Sequence, residues 1–520
     1  MPTRGTASPI WARVWGATLH GVSGRAISVE VDAGRGLPSF QIVGRGDRVV
    51  SESRDRIRAA FRQTGLEFPP GRVTVNLAPS ELPKTGSALD LPIAVAVAAA
   101  RTEMCPERLT RTLLLGELGL DASLRAVRGA LALTAAARTA GAGQAVVPID
   151  NLPEAGSCPD VRVWGAATLG EVIDWLREAG TLCLPAELPS QRGGDRAASD
   201  EPDLCDVRGQ ETAKRALEIA AAGRHNLLMV GPPGSGKTLL ARRLPGLLPD
   251  LDSHEALETT RIHSVAGTLG HSALMRRPPF RAPHHTTSDA GMTGGGRPIR
   301  PGEVSLAHRG LLFLDELPEF RRPVLEALRQ PLEEGCVRLV RASGAVELPA
   351  AFQLIAAMNP CPCGHRGDER RECECDDGAV GRYRAKLSGP LLDRIDLHVP
   401  VPAVPVEDVL PRSDGLRETL EHSREVAARV LEARARQARR YARESFATNA
   451  ELPPAGLGRY CALEAECRAL LERAVDPLGL SMRAVTRVLR VGRSIADLAG
   501  SDAIGPEHLA EAIGFRSATL

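Results

Sequence analysis

The chain has 520 residues, with 65 lysines and arginines against 64 aspartates and glutamates, so its formal net charge is +1. This length predicts two to four domains, and the balanced charge excludes a protein that binds nucleic acid through overall positive charge rather than through local patches. The first residues lack the apolar core of a signal peptide, and the longest apolar run, residues 91–100, is too short to cross a membrane. We therefore expect a cytoplasmic protein that has no membrane partner. Its eleven cysteines are an odd number, which favours free thiols over a disulfide framework.

The first part of the chain alternates strand-like and helix-like patterns, which predicts a mixed α/β arrangement. The predicted strands are 13–20, 27–31, 39–43, 73–77 and 113–116. The predicted helices are 49–63, 88–100, 130–140 and 169–178. A polar stretch with prolines and glycines follows and predicts a linker.

A phosphate-binding loop is the clearest motif of the chain. An apolar run at 226–230 precedes Gly231-Pro232-Pro233-Gly234-Ser235-Gly236-Lys237-Thr238. A strand, a glycine-rich turn and a helix that opens with Lys-Thr let backbone N–H groups converge on the phosphates of a nucleotide. Lys237 would contact the phosphates as a point charge, and the Thr238 hydroxyl would hold Mg²⁺. The motif predicts binding of a nucleoside triphosphate.

Two further apolar runs end in polar residues that would complete this site. The run 310–314 ends in Asp315 and Glu316, and we expect its strand to lie beside the phosphate-loop strand. Asp315 would then lie near Mg²⁺, and Glu316 would activate the attacking water. The run 352–358 ends in Asn359, which would orient that water or contact the γ-phosphate; capping of the strand is the alternative role.

Four cysteines form a separate group. Cys361 and Cys363 make one Cys-x-Cys pair, and Cys373 and Cys375 make another after nine intervening residues. Four thiolates so close in sequence suit a tetrahedral Zn²⁺ ion. His365 is an alternative ligand, and reduced or redox-active thiols, or no role at all, are alternatives to metal binding.

Helical patterns dominate the last part of the chain. Residues 424–447 predict one long arginine-rich helix, and 483–499 and 506–513 predict two more. Together they predict a small helical domain at the C-terminal end.

Further stretches carry a resemblance to a known family. They are Asp206-Val-Arg-Gly209-Gln210, Phe280-Arg-Ala-Pro-His284-His285-Thr286, Gly302-Glu303-Val-Ser305-Leu306-Ala-His308 and Gly389-Pro-Leu-Leu-Asp393-Arg394-Ile-Asp396-Leu. With the nucleotide motifs, they make the chain resemble the magnesium-chelatase-like AAA+ ATPases, and specifically the YifB/ComM family, over nearly its whole length. The resemblance implies a ring-forming ATPase, expected to be a hexamer, that binds ATP and Mg²⁺ at sites shared between neighbouring subunits.

The same resemblance implies roles for five residues. Gly209 and Gln210 would lie by the adenine, and Asn359 would be the sensor-one residue. Arg394 would reach the γ-phosphate bound by the next subunit, and Arg483 would be the sensor of the lid domain. For the two arginines, the alternatives are a salt bridge to a neighbouring aspartate and a structural place in a helix.

Residues 73–79, 82–92 and 115–118 resemble the N-terminal domain of this family, which is similar in fold to the Lon protease domain. A Lon-like protease needs a serine nucleophile and a lysine that takes its proton. Aligned with the Lon pattern, Ala88 occupies the serine position and Leu131 the lysine position, while Ser87 lies one residue away. We therefore expect a binding or assembly role rather than proteolysis.

The resemblance thus implies an α/β protein of three domains and a linker. These are an N-terminal Lon-protease-like α+β domain (1–184), a linker (185–203), a central AAA+ P-loop α/β domain with the cysteine-rich loop 361–375 (204–401), and a C-terminal helical lid domain (402–520).

A ring ATPase acts through loops in its pore, and two segments fit that role. Residues 291–297 predict a flexible glycine-rich insertion that ends in Arg297, and 337–346 predict a β-hairpin with Arg341 near its tip. Both arginines would contact DNA phosphates; an exposed surface turn is the alternative. The adjacent His284 and His285 should point in different directions, so we expect no metal there.

The favoured interpretation is an ATP-driven ring motor on single-stranded or branched DNA, with branch-migration or helicase activity in recombination or natural transformation. One alternative is a chelatase-type motor subunit that acts on a protein partner in metal-cofactor assembly, although a Lon-like domain is unexpected there. An ATP-dependent protease is less favoured because of Ala88.

Overall fold

A computed structural model describes residues 11–185, 202–270, 273–341, 344–368, 370–404 and 421–517. Residues 186–201 of the predicted linker and 405–420 of the predicted lid domain lie outside the described residues. Where the chain is described, no helix is long and apolar enough to cross a membrane.

Eighteen strands lie in the described residues. They are β1 (Trp11–His20), β2 (Ser23–Gly34), β3 (Ser39–Val43), β4 (Arg72–Ala78), β5 (Thr112–Leu114), β6 (Glu117–Leu118), β7 (Leu124–Arg125), β8 (Gln144–Pro148), β9 (Arg162–Ala166), β10 (Leu227–Val230), β11 (Phe280–Arg281), β12 (Gly294–Gly295), β13 (Arg300–Pro301), β14 (Leu311–Leu314), β15 (Cys336–Arg341), β16 (Gly344–Pro349), β17 (Gln353–Met358) and β18 (Leu397–Pro400).

The α-helices of the same residues connect these strands and fill the C-terminal part. They are α1 (Arg48–Thr64), α2 (Asp90–Ala99), α3 (Pro106–Arg111), α4 (Ala130–Thr134), α5 (Leu152–Ala155), α6 (Leu169–Leu176), α7 (Glu211–Gly223), α8 (Lys237–Ala241), α9 (Ser253–Ala266), α10 (Asp289–Thr293), α11 (Glu303–Leu306), α12 (Arg322–Ala327), α13 (Arg329–Glu334), α14 (Asp377–Arg384), α15 (Gly389–Leu392), α16 (Ser423–Arg440), α17 (Leu457–Tyr460), α18 (Ala465–Val475), α19 (Met482–Leu498) and α20 (Pro506–Ser517).

The N-terminal part is built on a seven-stranded mixed sheet in the order β3-β4-β2-β1-β5-β8-β9. Local signals set its elements: Asp47 caps α1 by accepting a hydrogen bond from the Val50 N–H, and Gly65 ends that helix in the left-handed conformation. All five predicted strands are present, but the prediction missed β8 and β9, which extend the sheet in parallel. The predicted helix 130–140 is shorter than expected, since α4 ends at Thr134 and a 3₁₀ turn follows.

The central part is built on a five-stranded parallel sheet in the order β11-β14-β17-β10-β18. The prediction that the β14 strand lies directly beside the phosphate-loop strand β10 is wrong, because β17 pairs with both and separates them. The polar residues that follow β10, β14 and β17 nevertheless reach one edge, since parallel strands present their carboxyl ends together. The mixed α/β fold expected for an AAA+ P-loop protein is confirmed.

The C-terminal part is helical in its described residues, as predicted, and it shares a hydrophobic core with α7, β10 and β18. The predicted helix 424–447 is shorter than expected: α16 ends at Arg440. There the Arg440 guanidinium donates to buried Asp497 of α19 over 2.9 Å, and the Tyr441 hydroxyl donates to Asn449 over 2.7 Å. These partners lie across the helical part, so tertiary contacts end the helix where its own pattern would continue.

Candidate functional site

The phosphate loop follows a path that requires glycine. Gly234 and Gly236 have φ of +75° and +91°, the left-handed region that side chains disfavour. At Gly231 the φ is ordinary, but a Cβ there would lie 2.0 Å from the Val401 carbonyl oxygen. The loop therefore needs glycine at all three positions, twice for conformation and once for space.

Lys237 is held inward at the start of α8. Its ammonium donates to the carbonyl oxygens of Gly231 and Pro232 over 2.7 and 2.8 Å, and to Oδ1 of Asn359 over 3.2 Å. Burial lowers the pKa of Lys237. Three neutral oxygens thus satisfy a buried cation, and a phosphate oxygen would be a stronger, charge-assisted acceptor. Of the predicted site residues, Asn359 is therefore brought directly to the phosphate loop.

The Thr238 hydroxyl donates to Oδ2 of Asp315 over 2.6 Å, and Oδ1 of Asp315 accepts the Glu316 N–H over 3.0 Å. A hydroxyl beside a carboxylate is the oxygen pair that Mg²⁺ takes in nucleotide sites. The buried Ser235 hydroxyl has no hydrogen-bond partner among the described residues, which leaves a donor free in the cradle. The residues present therefore fit a nucleoside triphosphate with Mg²⁺.

Glu316 lies at the open side of the site with its side chain more than half exposed. Its Oε2 lies 3.5 Å from Nδ1 of His285, a partner that the sequence interpretation missed. The prediction that the adjacent histidines point apart is wrong, since the His284 and His285 rings have centroids 4.0 Å apart at 34°. The His284-His285 motif is visible in the sequence, but nothing in its spacing connects it to Glu316.

Gln210 contacts the phosphate loop, and Gly209 precedes it in the chain. Both have positive φ, +59° and +60°, and Gln210 is the N-cap residue of α7. The Gln210 side-chain amide donates to the carbonyl oxygens of Ser235 and Pro402, over 3.3 and 2.6 Å. It therefore connects the phosphate loop to the segment that follows β18.

Arg394 is buried and bonded within its own chain. Its guanidinium pairs with Glu333 of α13 and donates to the Pro390 carbonyl. The carboxylate is thus not one of the neighbouring aspartates but a glutamate 61 residues away in the chain. The two residues are too far apart in the sequence for a local pattern to predict this pair.

Arg483 is exposed in the first turn of α19, which Ser481 caps. One turn later Arg487 pairs with Asp396, which is buried directly before β18 and accepts the Asn226 N–H over 2.9 Å. Burial alone would raise the pKa of Asp396, but Arg487 and these hydrogen bonds hold it well below its usual range. The predicted lid residue is therefore solvent-facing, while Arg487 connects the helical part to the sheet.

The four cysteines of the loop are brought together. Cys361 is fully buried, and its Sγ lies 3.4 Å from Cys363 Sγ and 3.6 Å from Cys373 Sγ. The Cys363 N–H donates to Cys375 Sγ over 3.4 Å, and all four sulfurs lie within 4.8 Å of one another. Tetrahedral Zn–S bonds of about 2.3 Å place sulfurs roughly 3.8 Å apart, so this set is compatible with Zn²⁺. His365 bonds Asp368 instead.

The cysteine loop packs directly on the phosphate loop. Gly364 has φ +89°, and a Cβ on it would lie 2.5 Å from Cδ of Pro233 and 3.8 Å from Cγ of Asn359. Its N–H donates to the Cys361 carbonyl over 3.0 Å. A glycine thus brings the thiol cluster into contact with both the phosphate loop and Asn359.

The two predicted DNA-contact elements lie side by side. Residues 291–297 are not a free insertion as predicted: Gly294 and Gly295 are buried in the short β12–β13 ladder, and Arg297 is exposed at its turn. The predicted hairpin is present as β15–β16, with Arg341 in its last backbone pair. The Arg341 side chain lies outside what the structure describes. A Cβ on Gly294 would lie 3.2 Å from Leu348 of β16, so the two elements pack together.

The N-terminal part offers no serine–lysine pair at the aligned positions. Ala88 and Leu131 are buried in the same apolar cluster. The Ser87 hydroxyl donates to the Glu117 carboxylate, and the buried Lys84 ammonium donates to the Pro79 carbonyl. A carboxylate is thus the hydrogen-bond partner of the Ser87 hydroxyl.

Comparison with known proteins places three family models along the chain. The model described as "Subunit ChlI of Mg-chelatase" matches residues 29–151, "Magnesium chelatase, subunit ChlI" matches 203–409, and "Magnesium chelatase, subunit ChlI C-terminal" matches 420–516. All three models describe the same chelatase subunit.

Full-length relatives agree with these models. The chain is 45% identical over 506 residues to an uncharacterized protein of Mycobacterium tuberculosis, covering 97% of this chain and 98% of the relative. It is 41% identical over 507 residues to Competence protein ComM of Haemophilus influenzae, covering 97% of each. It is 43% identical over 501 residues to the uncharacterized protein YifB of Escherichia coli, covering 96% of this chain and 95% of the relative.

The contact between the cysteine loop and the phosphate loop predicts that alanine at position 364 lowers nucleotide affinity more than alanine at position 367. Gly364→Ala should weaken nucleotide binding by about tenfold or more, because overpacking costs about 1–3 kcal/mol and 1.4 kcal/mol is tenfold. Gly367→Ala is the matched control, since Gly367 also has positive φ, +78°, but a Cβ there meets nothing within 4 Å. Titration with a fluorescent ATP analogue measures both, and equal affinities would contradict the contact.

Proposed function

Because this chain belongs to the magnesium-chelatase ChlI family, in the group of ComM and YifB, we propose that it is an ATPase ring motor that acts on DNA. The observation that carries the enzymatic part is the convergence of Lys237, Thr238, Asp315 and Asn359 at one edge of the parallel sheet. We further propose a cytoplasmic location and the division into 1–184, 204–401 and 402–520.

In this proposal the phosphates of the nucleotide replace carbonyl groups of the protein as hydrogen-bond acceptors of Lys237. The Lys237 ammonium exchanges the Gly231 and Pro232 carbonyls for phosphate oxygens, which are stronger acceptors for a cation. Mg²⁺, held by Thr238 and Asp315, would neutralise charge that develops on the phosphates. Asn359, already bonded to Lys237, orients the attacking water.

Glu316 acts as the general base for that water in the proposed reaction. Its side chain is more than half exposed, and its Oε2 lies 3.5 Å from Nδ1 of His285. A general base must lie within hydrogen-bond reach of the proton it takes, so the direction of this carboxylate matters. His285 therefore acts as a positioning residue for Glu316.

Arg394 completes the site of a neighbouring subunit in a ring, expected to be a hexamer. The family basis is that AAA+ proteins of this kind oligomerise. Within one chain Arg394 is paired with Glu333, so the proposal requires that this pair opens when the subunits assemble. Arg483, exposed on α19, is proposed as the lid sensor, and Gly209 and Gln210 as the adenine contacts.

Two substitutions separate this trans role of Arg394 from an internal one. Arg394→Ala should lower kcat by about 10³-fold or more, the amount that such an arginine supplies. Glu333→Gln should retain at least the wild-type rate, because it frees the guanidinium for the neighbour. Steady-state ATPase assays measure both, with unfolding midpoints as the control for stability. A wild-type rate for Arg394→Ala, or an equal loss for Glu333→Gln, would contradict the assignment.

The proposal that the protein acts on DNA rests on its membership of the ComM and YifB group and on the two elements that carry Arg297 and Arg341. A relative in Haemophilus influenzae is named Competence protein ComM, and the proposed work on DNA during transformation is consistent with that name. Arg297 and Arg341 lie on adjacent hairpin-like elements, and arginines there would bind phosphates without sequence preference. Single-stranded or branched DNA is the proposed substrate, with branch migration or unwinding as the proposed work. A chelatase-type motor subunit is the second candidate, favoured by the family models.

One assay distinguishes these candidates: the ATPase rate with forked DNA, with unfolded protein, and with neither. We expect stimulation by forked DNA, and loss of most of that stimulation in the Arg297→Ala/Arg341→Ala double variant. The salt dependence of DNA binding should fall by about two units of log–log slope, one per phosphate contact. The matched control is Arg25→Ala/Arg35→Ala, an exposed arginine of β2 and one that directly follows it. Stimulation by unfolded protein but not by DNA would overturn the proposal.

We propose Zn²⁺ as the ion of the four-cysteine loop, because its four sulfurs already lie together. Purified protein should contain about one zinc per chain, and Cys373→Ser/Cys375→Ser should contain almost none. Cys105→Ser, outside the loop, is the control. Since the loop packs on Pro233, the zinc-free variant should also bind nucleotide more weakly. Wild-type protein without zinc by elemental analysis would refute the site.

A further inference from the structure

The turn between β1 and β2 reaches out of the N-terminal sheet and lies against the β15–β16 hairpin. Gly21 in this turn has φ +62°, and a Cβ on it would lie 2.6 Å from Cγ1 of Val346 and 3.6 Å from Cδ2 of Leu348. The Val346 side chain therefore packs on the Gly21 backbone, in space that a side chain at position 21 would need.

A small apolar cluster, here called the clamp, surrounds this contact. Its members come from the β1–β2 turn, α9, α11 and β16. They are Val22, Ile262, Leu306, Val346 and Leu348. All five are buried, and Ile299 and Leu339 pack against them from the Arg297 turn region and from β15. The clamp thus joins the N-terminal sheet to both of the elements proposed to contact DNA.

The clamp holds one face of the hairpin strands. In the strand register Leu339 lies opposite Val346, and Val337 lies opposite Leu348, so these residues share the inward face. On the other face Arg338 and Glu347 form a half-exposed ion pair over 3.1 Å. Val340, one residue before Arg341, is 80% exposed. One face of the hairpin is therefore packed in the clamp, whereas Val340 is exposed to solvent.

The N-terminal part also contacts α9 of the central part directly. The Gly129 N–H, just before α4, donates to the Ser264 carbonyl of α9 over 3.2 Å. A Cβ on Gly129 would lie 3.1 Å from Cγ2 of Val265, and Ile262 of the same helix belongs to the clamp. The turn, α9 and the hairpin therefore form one packed unit.

We propose that the N-terminal sheet is a positioning element for the β15–β16 hairpin: its β1–β2 turn, through Gly21 and Val22, holds the hairpin in the orientation in which it engages the substrate. The identity of that substrate as DNA rests on the proposed function, whereas the mechanical role of the turn does not. Among the described residues, the apolar cluster of Val22 contains no nucleotide-site residue, so a change at Val22 should alter substrate coupling and leave the nucleotide chemistry intact.

Val22→Asp tests this role, because a carboxylate cannot be buried in the clamp without losing its hydration. We expect the backbone amides of β15 and β16 to exchange hydrogen about tenfold faster or more. Basal ATPase should stay within about twofold, while stimulation by forked DNA should fall by about fivefold or more. The matched control is Val43→Asp, the same change at a 46% exposed valine of the same sheet, which should alter neither quantity.

A milder variant keeps the test informative if Val22→Asp fails to fold. Val22→Ala removes two methyl groups from the clamp and should give a smaller effect in the same direction on exchange and on stimulation. Unchanged exchange in β15 and β16 for a folded Val22 variant would overturn the positioning role, whatever the substrate. If wild-type protein shows no DNA stimulation but the exchange effect is present, the DNA-motor proposal fails and the positioning role stands.

Discussion

The five-stranded sheet is parallel throughout, and the nucleotide site depends on that constraint. Parallel strands bring their carboxyl ends to one edge, so the phosphate loop after β10, Asp315 after β14 and Asn359 after β17 must meet there. β17 separates the other two strands, yet Thr238 and Asp315 are joined over 2.6 Å because the loops converge beyond the strand ends. The central position of β17 also explains why Asn359, and not an acidic residue, contacts Lys237.

The same strand end places the thiol cluster. Cys361 comes two residues after Asn359, so the cysteine loop starts at the nucleotide edge and has to fold over it. Gly364 permits that loop to rest on Pro233 without a side chain between them. A metal bound by four thiolates would fix the short loop, and the fixed loop would limit the movement of the phosphate loop. In this arrangement a structural ion would affect nucleotide binding without touching the nucleotide.

Local signals allowed much of the fold and of the site to be predicted, because they depend on residues close in sequence. The strand Ser39–Val43 and the β15–β16 hairpin follow from alternation, and the phosphate loop follows from glycines at required positions. Features set by distant partners were not predictable. Arg394 pairs with Glu333 on another helix, and α16 ends where Arg440 meets Asp497. The stacking of His284 on His285 depends on a backbone path that two adjacent letters do not specify.

In the N-terminal part, apolar residues occupy the two positions at which the Lon pattern has a serine and a lysine. Ala88 and Leu131, which align with the serine and lysine of the Lon pattern, are buried in one cluster against which Leu257 of α9 packs. A lysine at position 131 would place an unpaired charge between this sheet and α9, at a cost of several kcal/mol. Apolar residues at both positions instead let the N-terminal part pack on α9, whose Ile262 belongs to the clamp. The two positions that align with the serine and lysine of the Lon pattern therefore contribute to the apolar cluster on which α9 of the central part packs.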